Sequence, residues 1–457
     1  MGLARELARR IVALGYRDLP PHAIDQSRLA VMDTVGCMLA GAHEDTTKIL
    51  RATLAPGGGP CVIAGTGVRA SALDAALING TAAHALDFDN GSNTMGGHAS
   101  ATMVPALLAA AQAFGGNGED IVLGHTAGFE VGTRLGLGVN FHHYEKGWHP
   151  SSTLGTFAVI GACASFLKLS VDQTEVALGI GASLASGIKA NFGTMVKPLH
   201  VGHCARNGLM AVLLARGGYD ASALAFEHKQ GFFEVYNGAG NYDAGRILNG
   251  WANPLQITSP GAGYKQYPCC AATHAALDAT FKITARHGGK LDPSRIRKIE
   301  TWTPARRLAH TNRPQPKGNL EAKFSVQYCV ARALIAGEIV LAHFEGDAWR
   351  DPTVRALAQR VQSGIHRPCQ FAADNHFGAE VRVSFNDGRV DSDRVDVQLG
   401  RSADNPIPAP LLRAKFENCA ARVLPRAKLA PLAAQLGKLE HLERLDGFFD
   451  LLTSLAA

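Results

Sequence analysis

From Ser151 to Leu167 the chain carries no charged residue, and Gly, Ala and Ser fill much of the stretch before it ends at Lys168. Such a segment offers no polar face to water, so it reads as a helix buried on all sides. Similar apolar, Ala-rich segments lie at about 71–86, 101–115, 118–136, 172–188 and 200–216. Residues 22–40 repeat the pattern, with Ile24, Val31, Met32, Val35, Met38 and Leu39 at helical spacing after the start signal Pro20-Pro21. No strand-like alternation stands out in this half, which predicts a helical domain. Aromatic residues make up only 7% and glycines number 50, and small side chains let such helices approach closely.

The character changes near Pro260. Residues 268–287 read as a helix, Ile296 to Thr303 as a strand, and Phe324 to Ile339 as a helix. Val381, Val383 and Phe385 then alternate with polar residues. Asn386-Asp387-Gly388 supplies a turn, and Val395, Val397 and Leu399 alternate back, which predicts a β-hairpin with a loop of three residues or more. Residues 262–402 therefore read as a smaller α+β domain. The Pro-rich stretch Asn405 to Pro410 marks its exit, and 411–457 returns to a helical pattern. The expected architecture is mainly α: a helical domain from 1–261 and 403–457, with an α+β domain at 262–402. The length of 457 residues suits two domains.

Charge narrows the partners. With 46% hydrophobic and 18% charged residues the chain can build a large core, and disorder is excluded. A net charge of +6 favours anionic partners. Lys and Arg form no stripe interleaved with aromatics, so no nucleic acid is expected. Two readings remain, a slightly basic surface and a cationic pocket for a small carboxylate. Nine cysteines at irregular spacing, with no C-x-x-C, fit reduced thiols in the cytoplasm better than disulfides or a zinc site. Met1 to Tyr16 has only Ile11 to Leu14 as an apolar run, so neither a signal peptide nor a membrane span is expected.

Four titratable residues stand at predicted helix starts. His98 precedes Ser100, a candidate N-cap; His149-Pro150 precedes Ser151-Ser152, another; Lys197-Pro198 precedes the helical run from about His200; His274 follows Tyr267-Pro268. Helix N-termini carry unsatisfied N–H groups that attract carboxylates, and they keep a nearby imidazole neutral and basic. Taken singly, each of the four also reads as a capping or surface residue. His274 and Asp278, four apart, can share a helix face.

His84, Asp87, Asp89 and His98 form a second cluster with the donor types of a metal site. The run from Asp87 begins like a calcium loop, but Gly91 falls at its fifth position and His98 stands where the closing Glu belongs. No H-E-x-x-H and no iron–sulfur cysteine spacing occurs, so no metal is expected. The plainer reading is a helix end at Leu86 followed by an acidic turn. Gly238-Ala-Gly240 and Gly261-Ala-Gly263 follow no strand, which leaves a dinucleotide or phosphate site unsupported.

These residues together resemble the MmgE/PrpD family. His84-Ala-Leu-Asp87-Phe-Asp89 resembles its H-x-x-D-F-D signature. Gly97-His98-Ala99-Ser100, Gly147-Trp148-His149-Pro150, Gly193 to Gly202, Tyr267 to His274 and Phe324 to Tyr328 follow in the family's order. The family includes 2-methylcitrate dehydratase, cis-aconitate decarboxylase and iminodisuccinate epimerase. The resemblance implies a large helical domain with a smaller α+β lid, a homodimer, and a cofactor-free site between the domains. Carried over by position, the site residues are Asp87, His98, His149, Lys197, His274 and Tyr328, with Lys265 and His200 as further substrate-binding candidates. The implied chemistry is proton abstraction beside a carboxylate, which requires positive charge where the enolate develops. Lys197 and His274 would meet substrate carboxylates and the enolate, and His98 and His149 would be the acid/base pair. Asp87 would relay or orient, and Tyr328 would donate a hydrogen bond.

Tricarboxylate-acting members often read D-F-D-D-T. Here the run is Asp87-Phe88-Asp89-Asn90-Gly91, with one extra residue before His98. Met95-Gly96-Gly97-His98 resembles the epimerase-type branch. The expectation is therefore an epimerase/isomerase or hydro-lyase acting on a small di- or tricarboxylate. A decarboxylase, or a non-catalytic protein that binds an anionic metabolite, stands as the alternative.

Overall fold

Long apolar segments with small residues at helical spacing become helices that lose their exposed faces to one another. The computed structural model describes residues 2–372 and 375–454. The uncharged stretch is a helix, Pro150–Phe166, buried along nearly all its length. It packs against the helices Gly118–Val139, Ala99–Phe114 and Val196–Arg216, and the last of these packs against Ala72–Ala85. Pro21–Gly41 covers Ala72–Ala85 and is itself covered by Ala409–Ala420. Among the described residues no helix is long and apolar enough to cross a membrane.

The chain divides into two units. The first runs from the N-terminus to Tyr264 and takes back Ser402–Asp404 and the chain from Pro408 onward; the second is Lys265–Arg401 with Asn405–Ile407. Among the described residues, the first has helices and, as its named strands, one short antiparallel pair, Cys61–Val62 with Arg69–Ala70. Two residues a side are too few to show as alternation, which is why no strand was expected there. The helical stretch expected over 411–457 is three helices, Ala409–Ala420, Arg426–Leu436 and Asp446–Leu451. Pro425 interrupts it, since proline suits the residue before a helix better than its interior; residues 455–457 lie outside those described. The segment 172–188 is helical only as Val171–Leu184, where Ala185 turns extended.

The second unit builds a four-stranded sheet in the order Val361–Ile365, Ile296–Thr303, Ala379–Phe385, Val390–Val395. Ile296–Thr303 runs parallel to Val361–Ile365, with Ile299 opposite Val361, and antiparallel to Ala379–Phe385, with Thr301 opposite Val381. The expected hairpin is present, and its turn closes with Phe385 N–H donating to Arg389 O at 2.9 Å, but its return strand is Val390–Val395, so of the expected Val395, Val397 and Leu399 only Val395 lies in it. The helices His274–Arg286 and Val326–Ala336 supply Ala275, Ala279, Ile283, Val330 and Leu334 to a core shared with Ile299, Val381 and Val383. The strand Val361–Ile365 carried no clear sequence signal: it is short, with Gly364 near its end, and only its first residue is buried.

Candidate active site

Four helix ends in the first unit set the site. The helix Ala72–Ala85 ends at Leu86, and the chain turns through Asp87, whose φ of 52° lies in the left-handed region. A non-glycine residue held there costs free energy and persists only when its surroundings hold it. The N-caps of Ala99–Phe114 and Pro150–Phe166 are His98 and His149 themselves, with no side-chain capping bond. This corrects the expectation that Ser100 and Ser151 cap these helices. Both serines lie inside the helices: Ser100 Oγ pairs with His125 Nε2 at 3.0 Å, and Ser151 Oγ accepts from His98 N–H at 3.0 Å. Pro150 explains the second cap, because a residue before proline is driven to extended backbone, and His149 has φ −95° and ψ 98°. Lys197 lies in the first turn of Val196–Arg216, where Pro198 is tolerated.

Close packing brings these ends together. Gly80 and Gly202 meet where Ala72–Ala85 crosses Val196–Arg216. A Cβ on Gly80 would lie 2.8 Å from Gly202 Cα, and one on Gly202 would lie 2.1 Å from Leu77 O. Only glycine permits that approach. The crossing sets His84 beside Lys197.

The hydrogen bonds define the protonation pattern. Lys197 Nζ is 2.6 Å from His84 Nε2 and 2.7 Å from Asp87 Oδ1. His84 Nδ1 is 2.8 Å from Asp89 Oδ1, and His98 Nδ1 is 2.9 Å from Asp89 Oδ2 and 3.1 Å from Asn90 O. Oxygens of an ionised carboxylate and of a carbonyl only accept, so both Nδ1 atoms carry hydrogen. His84 Nε2 then accepts from the Lys197 ammonium, and His98 is left with Nε2 as its basic nitrogen. Burial opposes ionisation of Asp89, but the two histidines outweigh it and hold its carboxyl well below the usual range. Burial lowers His84 to about 4, against the pull of Asp89 and with help from Lys197. Burial also drives His149 well below the ordinary imidazole value, helped by Lys197, His84, His200 and His98. The result is a neutral imidazole beside a lysine.

The turn has its own support. Asp33, on Pro21–Gly41, accepts from Asn90 N–H at 2.9 Å and from the Asn90 amide at 3.0 Å. Lys415, on Ala409–Ala420, is 2.7 Å from Asp33 and donates to Phe88 O at 2.6 Å.

Sequence reasoning placed Asp87, His98, His149, Lys197 and His200 in the site, and the first unit brings them together. It left out His84 and Asp89 as working residues, although both stand in the H-x-x-D-F-D run. The signal was their spacing of five across a helix end, which lets the turn fold the carboxylate back on the ring. Asp33 and Lys415 carried no local signal. The donor atoms of His84, Asp89 and His98 lie within 4.8 Å of one another. As ligands they would be three only, with both Nδ1 protons already directed at acceptors and an ammonium 2.6 Å from His84. That charge pattern suits an anion better than a cation.

In the second unit His274 opens the helix His274–Arg286, and its Nε2 lies 3.3 Å from Cys269 O. The expected His274–Asp278 pairing is absent. Asp278 accepts from Tyr267 O–H at 2.8 Å and Leu399 N–H at 3.0 Å, and the Tyr267 ring stands edge-on to His274 at 5.1 Å. Tyr328 is buried, and its hydroxyl donates to His343 O while Arg332 donates to it at 3.3 Å. In this structure the hydroxyl proton is engaged inside its own unit. Lys265 is buried at the start of the same unit.

The MmgE/PrpD N-terminal domain family matches residues 5–244, and the MmgE/PrpD C-terminal domain family matches 267–436. The chain belongs to the MmgE/PrpD family. Among MmgE/PrpD relatives, a cis-aconitate decarboxylase of Aspergillus terreus is 26% identical over 473 residues, covering 99% of this chain and 96% of its own. That of Homo sapiens is 27% identical over 456 residues, covering 96% and 92%. That of Mus musculus is 29% identical over 378 residues, covering 81% and 76%. These relatives bear decarboxylase names, so the resemblance to an epimerase-type branch gains no support from them.

Proposed function

We propose that this MmgE/PrpD protein is a cofactor-independent lyase that moves a proton at a carbon beside a carboxylate of a small polycarboxylate, and that decarboxylation of cis-aconitate is its reaction. The observation that carries the reading is the Lys197 ammonium set among His84, Asp87 and the neutral His149. The N-termini of Ala99–Phe114, Pro150–Phe166 and Val196–Arg216 add partial positive charge around it. Such a site holds substrate carboxylates and stabilises the electron pair left on carbon when a carboxylate leaves as carbon dioxide. His149 and His98 are then the groups within reach of that carbon, one supplying its proton. Similarity over nearly the whole chain to cis-aconitate decarboxylases of two organisms, and over 81% of it to that of a third, favours this outcome over dehydration.

Epimerisation is the second reading. It needs an acid and a base on opposite faces of one carbon, and His98 and His149 both stand near His84, with ring centroids 4.4 and 6.2 Å from it. A single experiment separates the two. The protein is incubated in heavy water with cis-aconitate, 2-methylcitrate and chiral dicarboxylates, and followed by NMR. Decarboxylation gives a deuterated C–H in a product one carboxylate smaller. Epimerisation gives deuterium in a substrate of unchanged skeleton. Finding neither deuterium uptake nor a new product with any compound removes proton transfer at carbon from this site.

A further inference from the structure

We propose that His200 is a positioning residue for His149: it sets the tautomer of the His149 ring and passes protons between that ring and water. The inference rests on the decarboxylase reading, in which each turnover consumes a proton from solvent.

Among the described residues the only hydrogen-bond partner of the His149 ring is His200 Nδ1, 3.2 Å from His149 Nδ1. Two imidazole nitrogens at that distance share one proton: one donates and the other accepts. The sharing couples the tautomers. When His200 donates, His149 carries its hydrogen at Nε2 and is an acid there. When His149 donates, its Nε2 is bare and is a base. His149 is 2% exposed, whereas His200 is only half-buried, and His203, three residues on along the same helix, is exposed. The pair therefore leads from a buried ring toward the surface.

The backbone is built to hold this contact. Gly187 O accepts from His149 N–H at 3.0 Å, and Ser152 Oγ donates to His200 O at 3.1 Å. Gly187 itself, at φ 114°, lies against both partners: a Cβ there would stand 2.9 Å from Ser152 Cβ and 3.4 Å from His200 Cγ. Lys189 N–H donates to Gly147 O at 2.8 Å and fastens the same segment on its other side. The Phe192 ring meets His149 edge-on at 4.8 Å and closes the remaining flank. The charged and titratable groups around the pair are Lys197, His84 and His98 near His149, and Lys197 and His203 near His200. Asp87 stands beyond Lys197, with its Oδ1 2.7 Å from the Nζ atom, and among the described residues no carboxylate is hydrogen-bonded to the His149 ring. His200 is the group that is.

The step balances. Carbon dioxide leaves with cleavage of the C–C bond, and its electron pair stays on the substrate. That pair takes the Nε2 proton of His149, forming C–H. The His200 Nδ1 proton crosses to His149 Nδ1, and His200 Nε2 takes one proton from water or a buffer acid. Once product has left and water stands in its place, the reverse shift restores the pair.

The test is His200→Ala and His200→Gln, assayed in dilute and in concentrated buffer. The expected result is a kcat lowered by roughly tenfold to a hundredfold in dilute buffer. KM should stay within about twofold. Imidazole or another small acid should restore kcat in the variants and leave the native enzyme unaffected. An unchanged kcat, or a lowered kcat deaf to imidazole, overturns the proposal. A second measurement needs neither substrate nor a folded variant. In native protein labelled with nitrogen-15 histidine, a through-hydrogen-bond N–N coupling should join two Nδ1 nuclei, and its absence overturns the dyad. If the native protein turns over no polycarboxylate while the coupling is present, the functional reading fails and the dyad stands.

Discussion

Asp89 decides what His84 can do. Its Oδ1 accepts from His84 Nδ1, so a single buried carboxylate sets that tautomer and directs Nε2 toward Lys197. His98 Nδ1 lies 2.9 Å from the other oxygen but has Asn90 O as its hydrogen-bond partner. Asn at position 89 that turned its amide N–H to His84 would reverse the tautomer, and the Lys197–His84 contact would be lost. Asp89→Asn should lower kcat by roughly 10²–10⁴-fold, the range that a positioned acid or base contributes. The fold should survive, because size and packing are kept. A variant with native kcat would show that the His84 tautomer does not matter. Asp87 is different in kind: it pairs with Lys197 at 2.7 Å and keeps a left-handed backbone in place.

At the scale of elements, the site depends on a helix far along the chain. Ala409–Ala420 packs on Pro21–Gly41 and sends Lys415 to Asp33 and to the carbonyl of Phe88, inside the turn that carries Asp87 and Asp89. The Lys415 and Asp33 side chains are 8% and 0% exposed. Removing one partner of a buried pair leaves an uncompensated charge and costs about 3–5 kcal/mol. Lys415→Met should therefore lower stability by that order in urea titrations and reduce kcat as the turn loosens. The double variant Asp33→Asn with Lys415→Met should recover part of the stability, because no bare charge remains. Equal loss in single and double variants would mean that packing, not charge, holds the contact.

At the scale of the molecule, the first unit buries several histidines as neutral rings. Burial lowers His84 to about 4, His143 to about 4 and His125 to about 3. The unfolded chain regains ordinary imidazoles near pH 6.5 and so binds more protons than the fold between there and about pH 4. With folded values depressed, their stabilisation is complete above the unfolded value and is lost as pH falls. At pH 5, one and a half units below that value, the loss is about 2 kcal/mol for each ring. The melting temperature should hold above about pH 6.5 and fall from there to pH 5, and His125→Gln should flatten that slope. A melting temperature constant over that range would mean that these rings are not held neutral.

The helices and the hairpin were legible in the sequence because their patterns are local. Val31 and Val35 on one helix, or Val381 and Val383 on one strand, carry their periodicity within a few residues, and hydrophobic burial acts on that periodicity directly. The histidines and the lysine were legible as residues at helix starts for the same reason, and so was the acidic turn after Leu86. What each of them touches was not. Whether Asp278 serves His274 or Tyr267, whether Ser151 caps its own helix or accepts from His98, and whether Tyr328 is available or bonded to His343 depend on neighbours that tertiary packing brings in. Asp33 and Lys415, far from the turn in sequence, show no pattern at all, because a buried charge is specified by its partner and not by its own segment. Local sequence determined which elements form and which residues stand at their ends. The tertiary structure alone decided the tautomers and the ion pairs, since hydrogen bonds of about 3 Å require atoms from separate segments to meet with little tolerance for misplacement.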